Sequence, residues 1–316
     1  MGMRVAVLGA GISGAAAARA LTRAGFTVVV LDKGRGVGGR MATRRVADSD
    51  LSFDHGAQFL RARGPAFRAQ VADWLARGVV APWGGHDRYV GTHTMTAPVR
   101  DLLVGLDVRT GVTVTSLVRE PAGWRVSVAE GAVAETFSAV AIGFPSVQTT
   151  RLIDASGLTL TGPESAAYAP CWSLMVALDG PAPFPEADRR FAEGAIAAIV
   201  REESRPGRAA GTRLLVHAGP EWSRRHLEET RESVTGRLLD ALAERLGRPL
   251  TPTFASAHRW RYALVETAIG QDCLYDPALR LGACGDWCLG PRIEAAFDSG
   301  SALAARIVAD LTDPAA

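Results

Sequence analysis

The order of apolar and polar positions divides the chain into segments of different period. Residues 5–8 are an unbroken apolar run with β-branched members, the pattern of a strand buried on both faces of a parallel sheet. Residues 13–24 are Ala-rich and helix-like, Gly25 stops them, and residues 26–31 form a second apolar strand ending at Asp32. Residues 65–77 set Phe67, Val71, Trp74 and Leu75 at helical spacing, residues 89–95 read as a short strand, and residues 98–106 as a helix. Residues 108–114 and 124–128 alternate in polarity around a turn at 121–123, which predicts a β-hairpin. Residues 139–142 form another buried strand, ended by Gly143, Phe144 and Pro145.

The second half has a different grain. Strand candidates at 173–178, 195–200 and 213–217 are separated by Pro- and Gly-rich connections. One helix is predicted over 222–246, with Leu227, Val234, Leu238, Leu242 and Leu246 as its core stripe and Gly247 as its stop. Strands at 257–263 and 279–284 follow, then a helix from about 290 to 311 with Pro291 in its first turn. The whole reads as α/β: a doubly wound parallel domain and a second, mixed-sheet α+β domain. Residues 1–75, 107–145 and 272–316 are assigned to the first, and residues 76–106 and 146–271 to the second.

Composition narrows the classes. A chain of 316 residues with 47% hydrophobic content can bury the cores of two domains. A net charge of +2, with both signs mixed along the chain, leaves no nucleic-acid footprint. The basic residues are arginines except for Lys33. Cys171, Cys273, Cys284 and Cys288 have neither zinc spacing nor a disulfide framework, so buried thiols and no metal site are expected. No apolar run is long enough to span a membrane, and the expected protein is soluble and cytoplasmic.

The chemistry begins at the first turn. Gly9, Ala10, Gly11, Ile12, Ser13 and Gly14 have G-x-G-x-x-G spacing between a strand and a helix. Gly9 permits the tight turn, Gly11 a close approach of a pyrophosphate, and Gly14 the packing of helix on strand. The helix N-terminus favours phosphate, and Asp32 stands where a carboxylate accepts from a ribose diol. A dinucleotide site follows from this context. A second glycine-rich turn, Gly38, Gly39 and Arg40, comes just after Asp32 and Lys33.

That second turn resembles the FAD-binding amine oxidase and glutathione reductase group. The resemblance implies a Rossmann-type FAD-binding domain and non-covalent FAD, with Gly38, Gly39, Arg40 and Met41 near the pyrophosphate and ribityl chain. It places Gly56, Ala57, Gln58 and Phe59 beside the flavin ring and Val114 against the adenine. Gly285 and Asp286 would meet the ribityl or phosphate region. Arg292 and the N–H groups of Ile293, Glu294 and Ala295 would meet the flavin pyrimidine edge.

Alternation over 257–263 puts His258, Trp260 and Tyr262 on one face of a strand and Arg259 and Arg261 on the other. The segment is expected to wall a substrate cavity, with Arg259, Arg261 and Arg292 available to an anionic substrate. In order, GRGVGGRMATRR, FDHGAQF, HRWRYA and GDWCLGPRIEAAFDSGSALA resemble the renalases, small members of the FAD-containing amine oxidase superfamily. The resemblance implies oxidation of 2- and 6-dihydro isomers of NAD(P)H, a dinucleotide substrate, to NAD(P)+. Molecular oxygen would be the acceptor, giving hydrogen peroxide. A dihydropyridine loses hydride without needing a base, so no residue is assigned as acid or base. Another flavin amine oxidase or desaturase, or a non-catalytic FAD-binding protein, remain open readings. Oligomeric state is not encoded in these patterns.

Overall fold

The first apolar run becomes the strand Arg4–Leu8, in the middle of a six-stranded sheet. Thr27–Asp32 and Ala139–Ile142 flank it in parallel, and Asp107–Thr110 and Leu281–Ala283 extend the two sides, also in parallel. Leu274–Asp276 closes one edge antiparallel. The structure, a computed structural model, describes residues 2–129 and 131–313.

Both faces of this sheet are covered, as its continuous apolar strands require. Val5, Val7, Val28 and Val30 point toward the helices Ile12–Arg23, Pro65–Ala76, Ala97–Leu103 and Ile293–Thr312. Ala6, Leu8, Val29 and Leu31 point the other way, onto a three-stranded antiparallel sheet that buries Leu117, Trp124 and Phe137. Two glycines permit close packing here, Gly14 of the first helix on its own turn and Gly300 of the last helix on the first. A Cβ on Gly14 would overlap the Gly9 carbonyl, and one on Gly300 the Ser13 carbonyl.

A five-stranded antiparallel sheet forms the second unit, in the order Asp188–Arg190, Ile196–Arg201, Thr212–Ala218, Ala167–Leu178, Pro252–Thr267. The helix Arg231–Leu246 covers one face through Val234, Leu238 and Leu242. On the opposite face Met175, Ala177, Val200 and Leu215 join the core of the first unit. No helix of the described residues is long and apolar enough to cross a membrane.

Four expectations are corrected. Residues 108–114 are not one hairpin strand: Gly111, at φ 74°, ends Asp107–Thr110, which joins the main sheet, and the hairpin begins afresh at Val114–Glu120. The helix expected over 222–246 is two, Pro220–Arg225 and Arg231–Leu246. Thr230 starts the second by accepting the Ser233 N–H at 3.2 Å, a cap that the apolar stripe masked. Pro291 lies before the last helix rather than in its first turn, since Arg292 is the N-cap. The strand expected at 257–263 is part of a 16-residue strand, Pro252–Thr267.

Candidate functional site

The two glycine-rich turns meet. Gly9, at φ 104°, donates to the Leu31 carbonyl at 2.7 Å, and Gly38, at φ 119°, donates to the Ala10 carbonyl at 2.8 Å. A Cβ on Gly39 would lie 3.4 Å from Gly11 Cα. Asp32 ties the turns together, its carboxylate accepting from Ala10 N–H and Gly34 N–H, both at 2.6 Å. Lys33 follows at the end of this strand, Ile12 and Ser13 are buried at the helix start, and Met41 is buried at the end of the second turn. Gly111 and Val112 donate to the carbonyls of Gly34 and Asp32, which brings the strand opened by Val114 to the same edge.

Gly11 separates packing from binding. A Cβ there would meet nothing within 4 Å, so its missing side chain answers to no protein neighbour. An open space above paired backbone turns, at a helix N-terminus and beside a carboxylate, fits the pyrophosphate and ribose of a dinucleotide such as FAD.

Arg40 and Asp286, 246 positions apart, form a two-pronged ion pair at 2.7 Å on each arm, and Arg40 also donates to the Ala263 carbonyl at 3.2 Å. Burial works against the charge of Arg40, but Asp286 more than offsets it and holds the guanidinium protonated. Next to Asp286, Gly285 N–H donates to Ser299 Oγ at 3.0 Å. Ile293, Glu294 and Ala295 form the first turn of the last helix. The buried Glu294 carboxylate turns back to accept from the Arg63 and Gly64 N–H groups, at 2.9 and 2.5 Å.

The segment from Asp54 to Phe59 lies against this pair. Ala57 N–H donates to the Arg40 carbonyl at 2.8 Å, and a Cβ on Gly56 would overlap that carbonyl and sit 3.4 Å from the Trp260 ring. Trp260 in turn donates its indole N–H to the His55 carbonyl at 2.8 Å. The rings of His55, His258 and Trp260 form a triangle with centroids 4.5 to 4.9 Å apart. Past Trp260 the pairing of this strand with Ala167–Leu178 shifts register, and Tyr262 meets Tyr168, ring centroids 5.6 Å apart.

A buried charged knot fixes the far side of the segment. Arg205, with no exposed side-chain surface, donates to Gln58 Oε1 at 2.6 Å, to Asp54 Oδ2 at 3.1 Å and to Glu202 Oε1 at 2.9 Å. Arg208 also pairs with Asp54, which accepts further from Thr43 Oγ1 and Met95 N–H. Arg205 orients the Gln58 amide so that its Nε2 donates to the Gly56 carbonyl at 2.7 Å and lies 3.1 Å from His217 Nε2. Burial pushes Asp54 up, but Arg205 and Arg208 bring it below the ordinary carboxylate range. Burial also pushes Glu202 up, and it is the one acid of the knot raised overall.

Histidines here are neutral. Burial first, then His258 and Arg44, hold His55 down to about 3. Burial, then Arg44 and Arg231, hold His258 at about 4, and burial, then Arg205 and Arg190, hold His217 at about 4.

Most of the expected residues thus converge, but not all. Arg259 and Arg261 project from the face opposite Trp260 and are half-exposed, both bound to Glu228, Arg261 at 2.6 and 2.9 Å. They do not share the wall of His258, Trp260 and Tyr262. Arg292 is exposed at the helix N-cap. Phe59 is ringed by the guanidiniums of Arg88, Arg61 and Arg190, 4.7 to 5.4 Å from its centroid. The reading of the sequence missed Asp54, Glu202, Arg205, Arg208 and His217. One signal was available: four charges, Glu202, Glu203, Arg205 and Arg208, crowd the connection between two apolar strands.

Residues 7–74 match the family model of an NAD(P)-binding Rossmann-like domain. Over nearly the whole chain the structure is similar to that of a protein described as a protoporphyrinogen oxidase from Exiguobacterium sp. 255-15, with a TM-score of 0.73 at 14% identity, covering 98% of this chain and 99% of that one. It is similar to cyclohexylamine oxidase from Brevibacterium oxydans IH-35A, with a TM-score of 0.72 at 13% identity and coverage of 99% and 100%. A redesigned putrescine oxidase matches with a TM-score of 0.69 at 14% identity, covering 97% and 99%. The chain therefore shares the fold of these oxidases: a Rossmann-like parallel sheet joined to an antiparallel one.

Proposed function

We propose that the protein is an FAD-dependent oxidoreductase of the renalase kind, which takes hydride from 2- and 6-dihydro isomers of NADH and NADPH and returns NAD(P)+. The observation that carries this reading is the wall of His258, Trp260 and Tyr262, where neutral rings lie beside arginines. The only lysine, Lys33, sits next to Asp32 in the nucleotide turn. The shared fold supports the cofactor. Non-covalent attachment is supported by the burial of Cys284 and Cys288, whose thiols are pushed up by that burial.

FAD, when bound, supplies a two-electron acceptor that molecular oxygen can reoxidise to give hydrogen peroxide. The chain's own residues would bind and orient. Gly9 to Gly14, Gly38 to Met41 and Asp32 would hold the dinucleotide, with Val114 at its adenine end. The Arg40–Asp286 pair and Gly285 would border the chain between phosphate and ring, and the first-turn N–H groups of Ile293, Glu294 and Ala295 would favour negative charge at the ring edge. Gly56 to Phe59, backed by Gln58 and Arg205, would set one wall, and Trp260 a planar surface for a flat donor. The donor ring nitrogen supplies the electrons that expel hydride, so no proton need be removed by the protein.

A second reading is oxidation of an amine, favoured by the amine oxidases that share the fold. Anaerobic mixing of the yellow holoprotein with each class of donor distinguishes them. Bleaching of the flavin absorbance by a 2- or 6-dihydronicotinamide dinucleotide, and not by cyclohexylamine or putrescine, is the expected result. Bleaching by an amine alone would overturn the first reading.

A further inference from the structure

Two of the arginines expected to meet the donor's phosphates, Arg259 and Arg261, are taken by Glu228 on the outer face, and the third, Arg292, is exposed at the N-cap of the last helix, away from the ring triangle's end of the strand. The inference here rests on the dinucleotide-substrate reading and concerns where those phosphates bind. Two other arginines flank the ring triangle. Arg44 pairs in register with Phe53, the residue two before His55. Arg231 opens the helix Arg231–Leu246, and one turn on, Thr235 Oγ1 donates to the Arg231 carbonyl at 2.7 Å and accepts Ala257 N–H at 2.9 Å. Ala257 immediately precedes His258, so the two elements that carry these arginines come up beside the ring triangle.

Neither guanidinium has a hydrogen-bond or ion-pair partner among the described residues; Arg44 is half-buried, in a chain where most buried or half-buried arginines are paired, and Arg231 is exposed at the helix start. Arg35, from the second glycine turn, is unpaired in the same way. After burial, Arg231 and Arg35 are the groups that lower the proton affinity of Arg44, so the three cations feel one another. Nδ1 of His55, in a residue only 6% exposed, is buried without a partner. Gathered like charge without a carboxylate is unfavourable alone and favourable around an anion, and a guanidinium matches phosphate with two parallel donors.

The strand face shows where such an anion would lie. His258 and Trp260 lie two residues, about 7 Å, apart along the strand with their rings in contact. Arg40 meets the strand at the Ala263 carbonyl, Trp260 lies over Gly56, and His258 is at the other end, beside the elements that carry Arg44 and Arg231. We propose that Arg44 and Arg231, with His258 and His55 between them, form a phosphate subsite at the outer end of the cavity wall, which holds the nucleoside diphosphate portion of the donor.

The test is calorimetric titration of the holoprotein with ADP-ribose, which carries both phosphates but no nicotinamide to oxidise. Arg44→Leu and Arg231→Leu should each weaken ADP-ribose binding roughly tenfold or more, the size of one charge-assisted contact. Arg237→Leu removes a cation from the same helix that is already paired with Glu229, and should change binding by less than about twofold. Both test arginines lack partners, so the fold should survive; if one variant fails to fold, the other carries the test. No binding of ADP-ribose by wild type, or equal binding by wild type and the double variant, would overturn the subsite. Anaerobic reduction by the dihydro isomers separates the two ideas. Absence of reduction in wild type sinks the reaction, whereas reduction with the same half-saturating donor concentration in the double variant sinks the subsite alone.

Discussion

The paired glycine turns around Ala10 and the charged knot around Arg205 both fix a short segment at the candidate site, by opposite means. The turns use backbone donors and acceptors, and the one carboxylate involved, Asp32, lies 22 positions from Ala10. The knot uses buried side chains, two arginines set against two carboxylates; Arg205 and Glu202 are three positions apart, but the bonds to Asp54 and Gln58 span 147 to 154 positions. A turn made of backbone leaves its outer side free for a ligand. A knot made of buried charge turns its groups inward and ties the segment from Asp54 to Gln58 to the turn that follows Ile196–Arg201. The first is built to receive and the second to hold.

Breaking the knot should have the largest effect. Arg205→Ala leaves Asp54 and Glu202 buried without their shared cation, and removal of one partner from a buried ion network costs about 3–5 kcal/mol. Denaturant unfolding of the apoprotein measures it, and a loss below about 1 kcal/mol would mean that the clamp lies elsewhere. Asp32→Ala tests the turns. If the carboxylate also serves a bound ribose, FAD affinity should fall by about 1.5–3 kcal/mol with the secondary structure intact, read by titrating apoprotein with FAD.

The glycines sharpen the contrast between packing and receiving. Gly14→Ala drives a methyl into the Gly9 carbonyl and should destabilise the apoprotein by about 1–3 kcal/mol. Gly11→Ala has open space and a backbone angle that alanine accepts, φ −78°, so the apoprotein should stay level or gain about 0.4–1 kcal/mol. FAD binding should weaken all the same. If both variants change stability alike, Gly11 is no cradle.

The same division governs what could be read from the sequence. The strand, turn and helix at residues 5–32 are encoded by spacing within one stretch, and the observed Arg4–Leu8, Ile12–Arg23 and Thr27–Asp32 depart from the expected limits by one residue at most ends. The alternation that set Arg259 and Arg261 apart from Trp260 also held, because period two is a local property, whereas the register shift that follows Trp260 left no such mark. Nothing local paired Arg40 with Asp286 or Arg205 with Gln58, since those contacts exist only once distant elements have packed. The helix boundary at Thr230 was hidden for a different reason: the apolar stripe runs through the break, and only the cap marks it.

Acid should loosen the knot's neighbourhood before the turns. His55, His217 and His258 are held at about 3, 4 and 4, against about 6.5 in an unfolded chain. Between those values the unfolded chain binds three protons that the folded one refuses, so stability falls as pH drops from about 6.5. Glu202, raised by burial, opposes this by binding a proton in the folded state, but it is one group against three. The melting temperature should therefore be lower at pH 5 than at pH 7, by a few degrees. Equal values would contradict neutral, buried histidines.

The most direct test of the account is the pH dependence of flavin reduction itself. Holoprotein is mixed anaerobically with a 2- or 6-dihydro isomer of NAD(P)H in stopped flow, from about pH 6 to 9, a span that includes the unperturbed histidine range. His258 packs on the Trp260 ring, and hydride loss from a dihydropyridine gives it no proton to remove. The rate at saturating donor should be flat across this range, and His258→Ala should stay within about tenfold of wild type, short of the upper range for loss of a general base. A wild-type rate that climbs with a single ionisation, and loses that climb in His258→Ala, would contradict hydride loss without a base and restore the amine reading.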